Sequence, residues 1–134
     1  MGECVMSNSG VYYFSEFHVW LEEQGSGLFT LGITEHAQNS LGDIVYVELP
    51  SEGQQFAAGE SCAVIESVKS ASEVVIPIDA EVIAINQQLV ESPGLINQEP
   101  FNNGWILRFR SDVTIEAIAA DLMTAVDYDS FLDQ

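Results

Sequence analysis

Short β-prone runs, each closed within a few residues by a turn former, fill most of this 134-residue chain. Val11–Phe14, His18–Leu21 and Leu28–Ile33 come first, with the turn between the last two assigned to Glu22–Gly27 and its two glycines. Ile44–Leu49 ends at Pro50, and Val74–Ile76 ends at Pro77, where the missing N–H stops a ladder. Cys62–Ile65, Glu81–Ile85 and Trp105–Arg110 complete the set, the last with Arg108 and Arg110 on one face. Strands this short and this frequent bury their apolar faces only by packing sheet on sheet, so the pattern predicts a mainly β fold, a sandwich or flattened barrel.

Helical signals occupy two places. Thr34 reads as an N-cap, Glu35 suits the first turn and Gly42 falls where a C-cap glycine belongs. A short helix Glu35–Leu41 follows, expected to bury Ala37 and Leu41. Beyond Ser111 or Asp112, either of which could cap, Ile115, Ile118, Ala119, Leu122 and Met123 share one helical stripe. Tyr128, Phe131 and Leu132 suggest a second short helix. Residues 86–104 carry Pro93, Gly94, Pro100 and Asn102-Asn103-Gly104, and read as a long ordered loop anchored by Leu95, Ile96 and Phe101.

Charge excludes whole classes of partner. Lys and Arg number 3 against 21 Asp and Glu, a net charge of −18. So few cations cannot neutralise a phosphate backbone, which argues against nucleic acid, and the same lack argues against anionic membrane. The acidity fits either steering toward basic docking surfaces or plain solubility through self-repulsion. No apolar run approaches a membrane span, and the N-terminal stretch shows no basic leader region. A bacterial cytoplasmic protein is the expectation, and a mature mitochondrial form would look similar. Cys4 and Cys62 stand far apart without metal-ligand spacing, and Cys62 reads as a core residue. His18 and His36 are too separated in sequence to suggest a metal site.

Against that background one residue stands out. Lys69 is the sole lysine, and it lies between two predicted strands in Glu66-Ser67-Val68-Lys69-Ser70-Ala71-Ser72-Glu73. The small residues after it fit a tight hairpin that would hold a primary amine clear of the body. An ordinary solvated lysine is the simpler explanation for most such residues, but a chain that avoids lysine elsewhere has kept one at a hairpin tip.

Three blocks of residues resemble the H-protein family of the glycine cleavage system. Gly32-Ile33-Thr34-Glu35-His36-Ala37-Gln38, followed by Leu41-Gly42-Asp43-Ile44-Val45 and Glu48-Leu49-Pro50, is similar to its first signature. Glu66-Ser67-Val68-Lys69-Ser70 is similar to its lipoyl-attachment sequence, and Pro93, Ile96-Asn97, Pro100 and Gly104-Trp105 to its third block. The resemblance implies the barrel-sandwich hybrid fold of lipoyl and biotinyl carriers, with a short early helix and C-terminal helices. Residues 1–10 are expected to be a loose terminus, and with the helical tail from about residue 112 the resemblance implies a single lipoyl-carrier domain over 11–134. It also implies lipoic acid in amide linkage on Lys69, within the attachment hairpin of Glu66, Ser67, Val68 and Ser70.

The partners it implies are a glycine decarboxylase (P-protein), an aminomethyltransferase (T-protein), a dihydrolipoyl dehydrogenase (L-protein) and a lipoyl ligase or transferase. The chain would then be a shuttle and not itself an enzyme. Glu73 and His36 are candidate polar contacts for the loaded arm in a surface cleft, although a solvated strand carboxylate and a helix-surface histidine explain them equally simply. Trp20 and Trp105 read as core anchors.

Two departures from the family pattern stand out. Val19 occupies a usual glutamate position, and Ala80 a usual glycine, which would cost roughly 1 kcal/mol if that turn required positive φ. The alternatives are a lipoyl-relay protein that donates lipoate to other enzymes, which keeps the same lysine, and an unmodified acidic adaptor. A biotin carrier fits less well, since Val68 and Ser70 stand where methionines flank the biotinyl lysine, and no nucleophile–base set supports a hydrolase.

Overall fold

The computed structural model of the chain describes residues 12–25, 27–101 and 103–132. The expected loose segment over 1–10, Val11 and Cys4 lie outside them. In chain order come β1 (Tyr12–Phe14), β2 (Val19–Gly25), β3 (Leu28–Ile33), α1 (Glu35–Leu41) and β4 (Ile44–Glu48). Then follow β5 (Gln55–Phe56), β6 (Ser61–Ser67), β7 (Ala71–Val75) and β8 (Ala80–Ile85). Two single-turn helices, α2 (Gln88–Glu91) and α3 (Leu95–Gln98), precede β9 (Leu107–Arg110), α4 (Ile115–Asp121) and α5 (Ala125–Leu132).

The strands form two antiparallel sheets, ordered β1-β2-β3-β9-β8-β5 and β4-β6-β7. Alternation along each strand supplies the core between them. Leu21, Phe29, Leu31, Leu107 and Phe109 from the larger sheet meet Ile44, Val47, Ala63, Ile65 and Val74 from the smaller. The larger sheet is also covered on its other face. Phe14, Trp20 and Tyr128 are buried there, with Tyr12, Phe101, Trp105, Met123 and Phe131 packed around them. That second layer explains why Val19–Leu21 of β2 and most of β3 read as apolar runs: both faces of the sheet are shielded there. Trp20 lies so flat on Gly32 that a β-carbon there would meet its ring at 2.6 Å, so the site demands glycine.

The strand and helix expectations hold in most places, and the differences have local causes. β2 runs on through Glu22 and Glu23 to Gly25, which pairs with Leu28, so the turn is far tighter than Glu22–Gly27. The two-residue β5 had no periodicity to announce it. Residues 86–104 are not a plain loop, because α2 and α3 interrupt them. One-turn helices are too short to show a 3.6-residue repeat; α2 is started by the Asn86 carboxamide oxygen, which accepts from the Gln88 N–H at 3.2 Å. The cap of α4 is Thr114, neither Ser111 nor Asp112: its hydroxyl accepts from the Ala117 N–H at 3.2 Å. Met123 lies beyond α4 and instead exchanges backbone bonds of 2.8 Å with Phe14, stitching the tail to β1. The side chains of Ile115 and Ala119 lie outside the described set.

α1 has the expected bounds and caps, with Thr34 Oγ1 accepting from the Ala37 N–H at 3.3 Å. Its buried residue is Gln38, while Ala37 and Leu41 are half-buried. None of the described helices is long and apolar enough to cross a membrane.

Candidate functional site

β6 and β7 pair with Glu66 opposite Ala71, Ile65 opposite Ser72 and Val64 opposite Glu73, leaving Val68, Lys69 and Ser70 to make the connection. Ser67 builds that turn. Its N–H donates to the Ser70 carbonyl at 2.8 Å, and its hydroxyl donates to the same carbonyl at 3.1 Å. Its Oγ accepts from the Lys69 and Ser70 N–H groups, each at 3.2 Å. A serine that satisfies neighbouring backbone groups in this way stabilises a turn without glycine.

The hairpin leans on the link between α1 and β4. The Val68 N–H donates to the Asp43 carbonyl at 3.0 Å. The Lys69 stem crosses Gly42, where a β-carbon would sit 3.5 Å from Cε and 4.0 Å from Nζ. Gly42 has φ of 80°, so its position needs glycine for the backbone, while a β-carbon there would make only ordinary contact with the lysine above it. Among the described residues, the Lys69 ammonium makes no hydrogen bond or ion pair, and the side chain is exposed.

Asn97, on α3, fixes this link from below. Its Oδ1 accepts from the Ile44 N–H at 2.9 Å, and its Nδ2 donates to the Gly42 carbonyl at 2.8 Å and to Gln38 Oε1 at 3.0 Å. Sequence reading placed Asn97 in a family block without giving it a task. Nothing local to α3 signals that task, because the partners of the half-buried amide lie on α1 and β4 and the link between them.

The other expected residues are distributed as follows. Glu66 is exposed opposite Tyr46 of β4, and Glu73 lies on β7 on the same outer face. A register shift between Ile44 and Tyr46 turns both Val45 and Tyr46 outward, so exposed apolar surface stands beside these carboxylates and Val68. His36 sits at the other end of α1, about 9 Å of helix rise from Gly42. There its ring meets that of His18 at a tilt of 34°, centroids 4.5 Å apart. The two histidines distant in sequence are therefore neighbours in space, although no metal-type cluster forms among the described residues.

His18 holds a left-handed backbone, φ 64°, and its Nδ1 lies 2.7 Å from the Tyr128 hydroxyl, which is itself 2.8 Å from Thr34 Oγ1. Burial, and secondarily His36, lowers the pKa of His18. Burial pushes the Cys62 thiol up to about 12, so it is an inert core group.

The family model described as glycine cleavage H-protein matches residues 11–134. The chain belongs to that family. The glycine cleavage system H protein of Pseudoalteromonas translucida is 44% identical over 121 residues, 90% of this chain and 92% of the relative. That of Klebsiella pneumoniae subsp. pneumoniae is 44% identical over 120 residues, with the same coverage. A crystal structure of a glycine cleavage system H protein from Mycobacterium marinum superposes with a TM-score of 0.82 at 28% identity, covering 93% of this chain and 98% of that one. The two facing sheets with their helical end are thus the barrel-sandwich hybrid of this H-protein family.

The departures from the family pattern are accommodated. Val19 is buried in the main core opposite Ile33. Ala80 lies in β8 opposite Phe56 without positive φ, so the cost feared for that substitution does not arise. Trp20 is a full core anchor, whereas Trp105 is half-buried under Arg108, whose guanidinium lies 4.2 Å from its ring.

Proposed function

We propose that this chain is a lipoyl-bearing shuttle of the glycine cleavage system, with lipoic acid in amide linkage on Lys69, and not itself a catalyst. The observation that carries the reading is the display of the sole lysine, exposed and unpaired among the described residues, at the tip of a braced hairpin. An exposed amine without a partner fits a ligase's need to reach and acylate it. When bound, the lipoyl group supplies a dithiolane that opens on taking up an aminomethyl group and closes again on oxidation.

The chain's own residues do the rest. Amide formation removes the charge of Lys69, so the arm enters apolar pockets of other proteins without desolvating an ammonium. Ser67 and the Asp43 carbonyl hold the base of the arm still while its end moves. Holding one end on a rigid hairpin keeps the reactive end at high local concentration at each partner's site. Those partners are the glycine decarboxylase, the aminomethyltransferase and the dihydrolipoyl dehydrogenase, after a lipoyl ligase or transferase has loaded the lysine. Glu66, Glu48 and Glu73 beside exposed Tyr46, Val45 and Val68 supply an acidic and partly apolar surface for docking.

With lipoate, ATP and a lipoyl ligase, the protein should gain one lipoyl mass, and Lys69→Arg should gain none, since a guanidinium is not acylated at neutral pH. The lipoylated protein should then support glycine-dependent carbon dioxide exchange by a glycine decarboxylase. Lipoylation without exchange would remove the shuttle role, and absence of lipoylation would remove the carrier role altogether.

A further inference from the structure

Away from the lysine hairpin, the outer face of the larger sheet carries opposite charges that do not meet. Glu22 on β2 pairs with Thr30 on β3, which pairs with Arg108 on β9, so the three stand in one row on one face. Strands are spaced about 4.8 Å, which puts the two charged residues about 9.6 Å apart at the backbone. Arg108 leans inward, its Nε donating to Thr30 Oγ1 at 3.3 Å while its guanidinium stacks on Trp105. Even so, Glu22 and Arg108 form no ion pair, and among the described residues the Glu22 carboxylate makes no hydrogen bond.

Glu22 is nevertheless only 4% exposed. A buried carboxylate without a partner is one of the costliest arrangements a fold can keep, and it asks for a cation or donor. Between the two charges lies a cavity of about 100 Å³, lined by Glu22, Arg108, Thr30 and Gln24 and walled by Trp20 and Trp105. Burial, and secondarily the charge of Glu22, raises the pKa of the Tyr12 hydroxyl next to it in the sheet.

We propose that this cavity binds a small zwitterion, a short α-amino acid, its ammonium on Glu22 and its carboxylate on Arg108. A lone cation would satisfy the acid and leave the guanidinium's outer nitrogens unused, and a lone anion would do the reverse. A molecule with the two charges separated by a single carbon answers both, and charge-assisted bonds at each end fix its direction. Thr30 and Gln24 supply the remaining neutral polar contacts.

Both tryptophans of the chain line the cavity, so their emission reports on occupancy. Unlipoylated protein is titrated with glycine, then with methylamine and acetate, at constant ionic strength. Glycine should give a saturable change, and methylamine and acetate should each bind at least tenfold more weakly. Glu22→Gln and Arg108→Gln should each weaken glycine at least tenfold, while Lys69→Arg should leave it unchanged. Should Glu22→Gln fail to fold, Arg108→Gln, at an exposed side chain, carries the same comparison. A non-saturable response to glycine, or equal binding by the parent and by Arg108→Gln, overturns the proposal. Methylamine binding as well as glycine overturns it in favour of a simple cation site. Because Lys69 takes no part, the outcome is independent of whether the chain is a lipoyl carrier.

Discussion

The two ends of α1 do opposite things with similar materials. At the N-terminal end, the Thr34 cap joins the Tyr128 hydroxyl and His18, and the aromatic tail closes over them. At the C-terminal end, Gly42 joins Asn97, Gln38 and the Lys69 stem, and the lysine above stays in the open. Both ends satisfy helix-terminal backbone groups through side chains. The first end uses that satisfaction to lock a neighbouring helix down, and the second uses it to hold an exposed hairpin firm. A seven-residue helix too short to be stable alone thus acts as a spacer between a closed polar network and a displayed amine.

The largest effect is expected at the open end. Asn97→Ala removes the acceptor of the Ile44 N–H and the donor to the Gly42 carbonyl, both part-buried. Lost bonds and stranded backbone groups together should cost about 3 kcal/mol, read as a lowered midpoint in urea. Amide exchange at Val68 should accelerate more than exchange at Phe109 in the distant core, because only the former leans on the 42–44 link through Asp43. Equal acceleration at both would make Asn97 a general core residue and dissolve the contrast between the ends.

A smaller effect belongs to the closed end. Tyr128→Phe keeps the ring stack on Phe14, centroids 4.8 Å apart, and deletes only the hydroxyl between His18 and Thr34. About 1 kcal/mol should be lost, with exchange rising along α5 and the start of α1 while the Lys69 turn keeps its parent rates. Exchange rising at the turn as well would mean that α1 transmits strain from one end to the other.

How legible each end was in the sequence follows from the range of its contacts. Thr34, Glu35 and Gly42 announced α1 because caps are local chemistry. Lys69 was legible for its rarity, and the short strands around it for their alternation. Asn97 was not, since its partners lie 53 to 59 residues away and no pattern within α3 points to them. His18 with His36, and Glu22 with Arg108, were illegible for a related reason: only the order β2-β3-β9, and the pairing of Val19 with Ile33 just before α1, bring them near. The outward turn of both Val45 and Tyr46 depends on a bulge that alternation alone predicts against.

The smallest effect is a pH dependence confined to the closed end. His18 is half-buried, faces the His36 ring, and lies near the rings of Tyr128 and Phe131. Burial and the neighbouring imidazole hold its pKa below the ordinary 6.5, so the fold prefers His18 neutral. The sign follows from proton uptake: as pH falls below about 6.5, the unfolded chain binds the proton first, and the folded state loses ground until its own lower pKa is reached. Relief of carboxylate repulsion acts in the other direction at lower pH, which makes the useful window 7.5 to 5.5 and the useful quantity a difference between two proteins. His18→Asn tolerates the left-handed backbone and does not titrate. The parent should lose more thermal stability than His18→Asn between those two pH values. Identical losses would show that His18 is protonated as easily in the fold as out of it, and the closed end would then be no more closed to a proton than the lysine end.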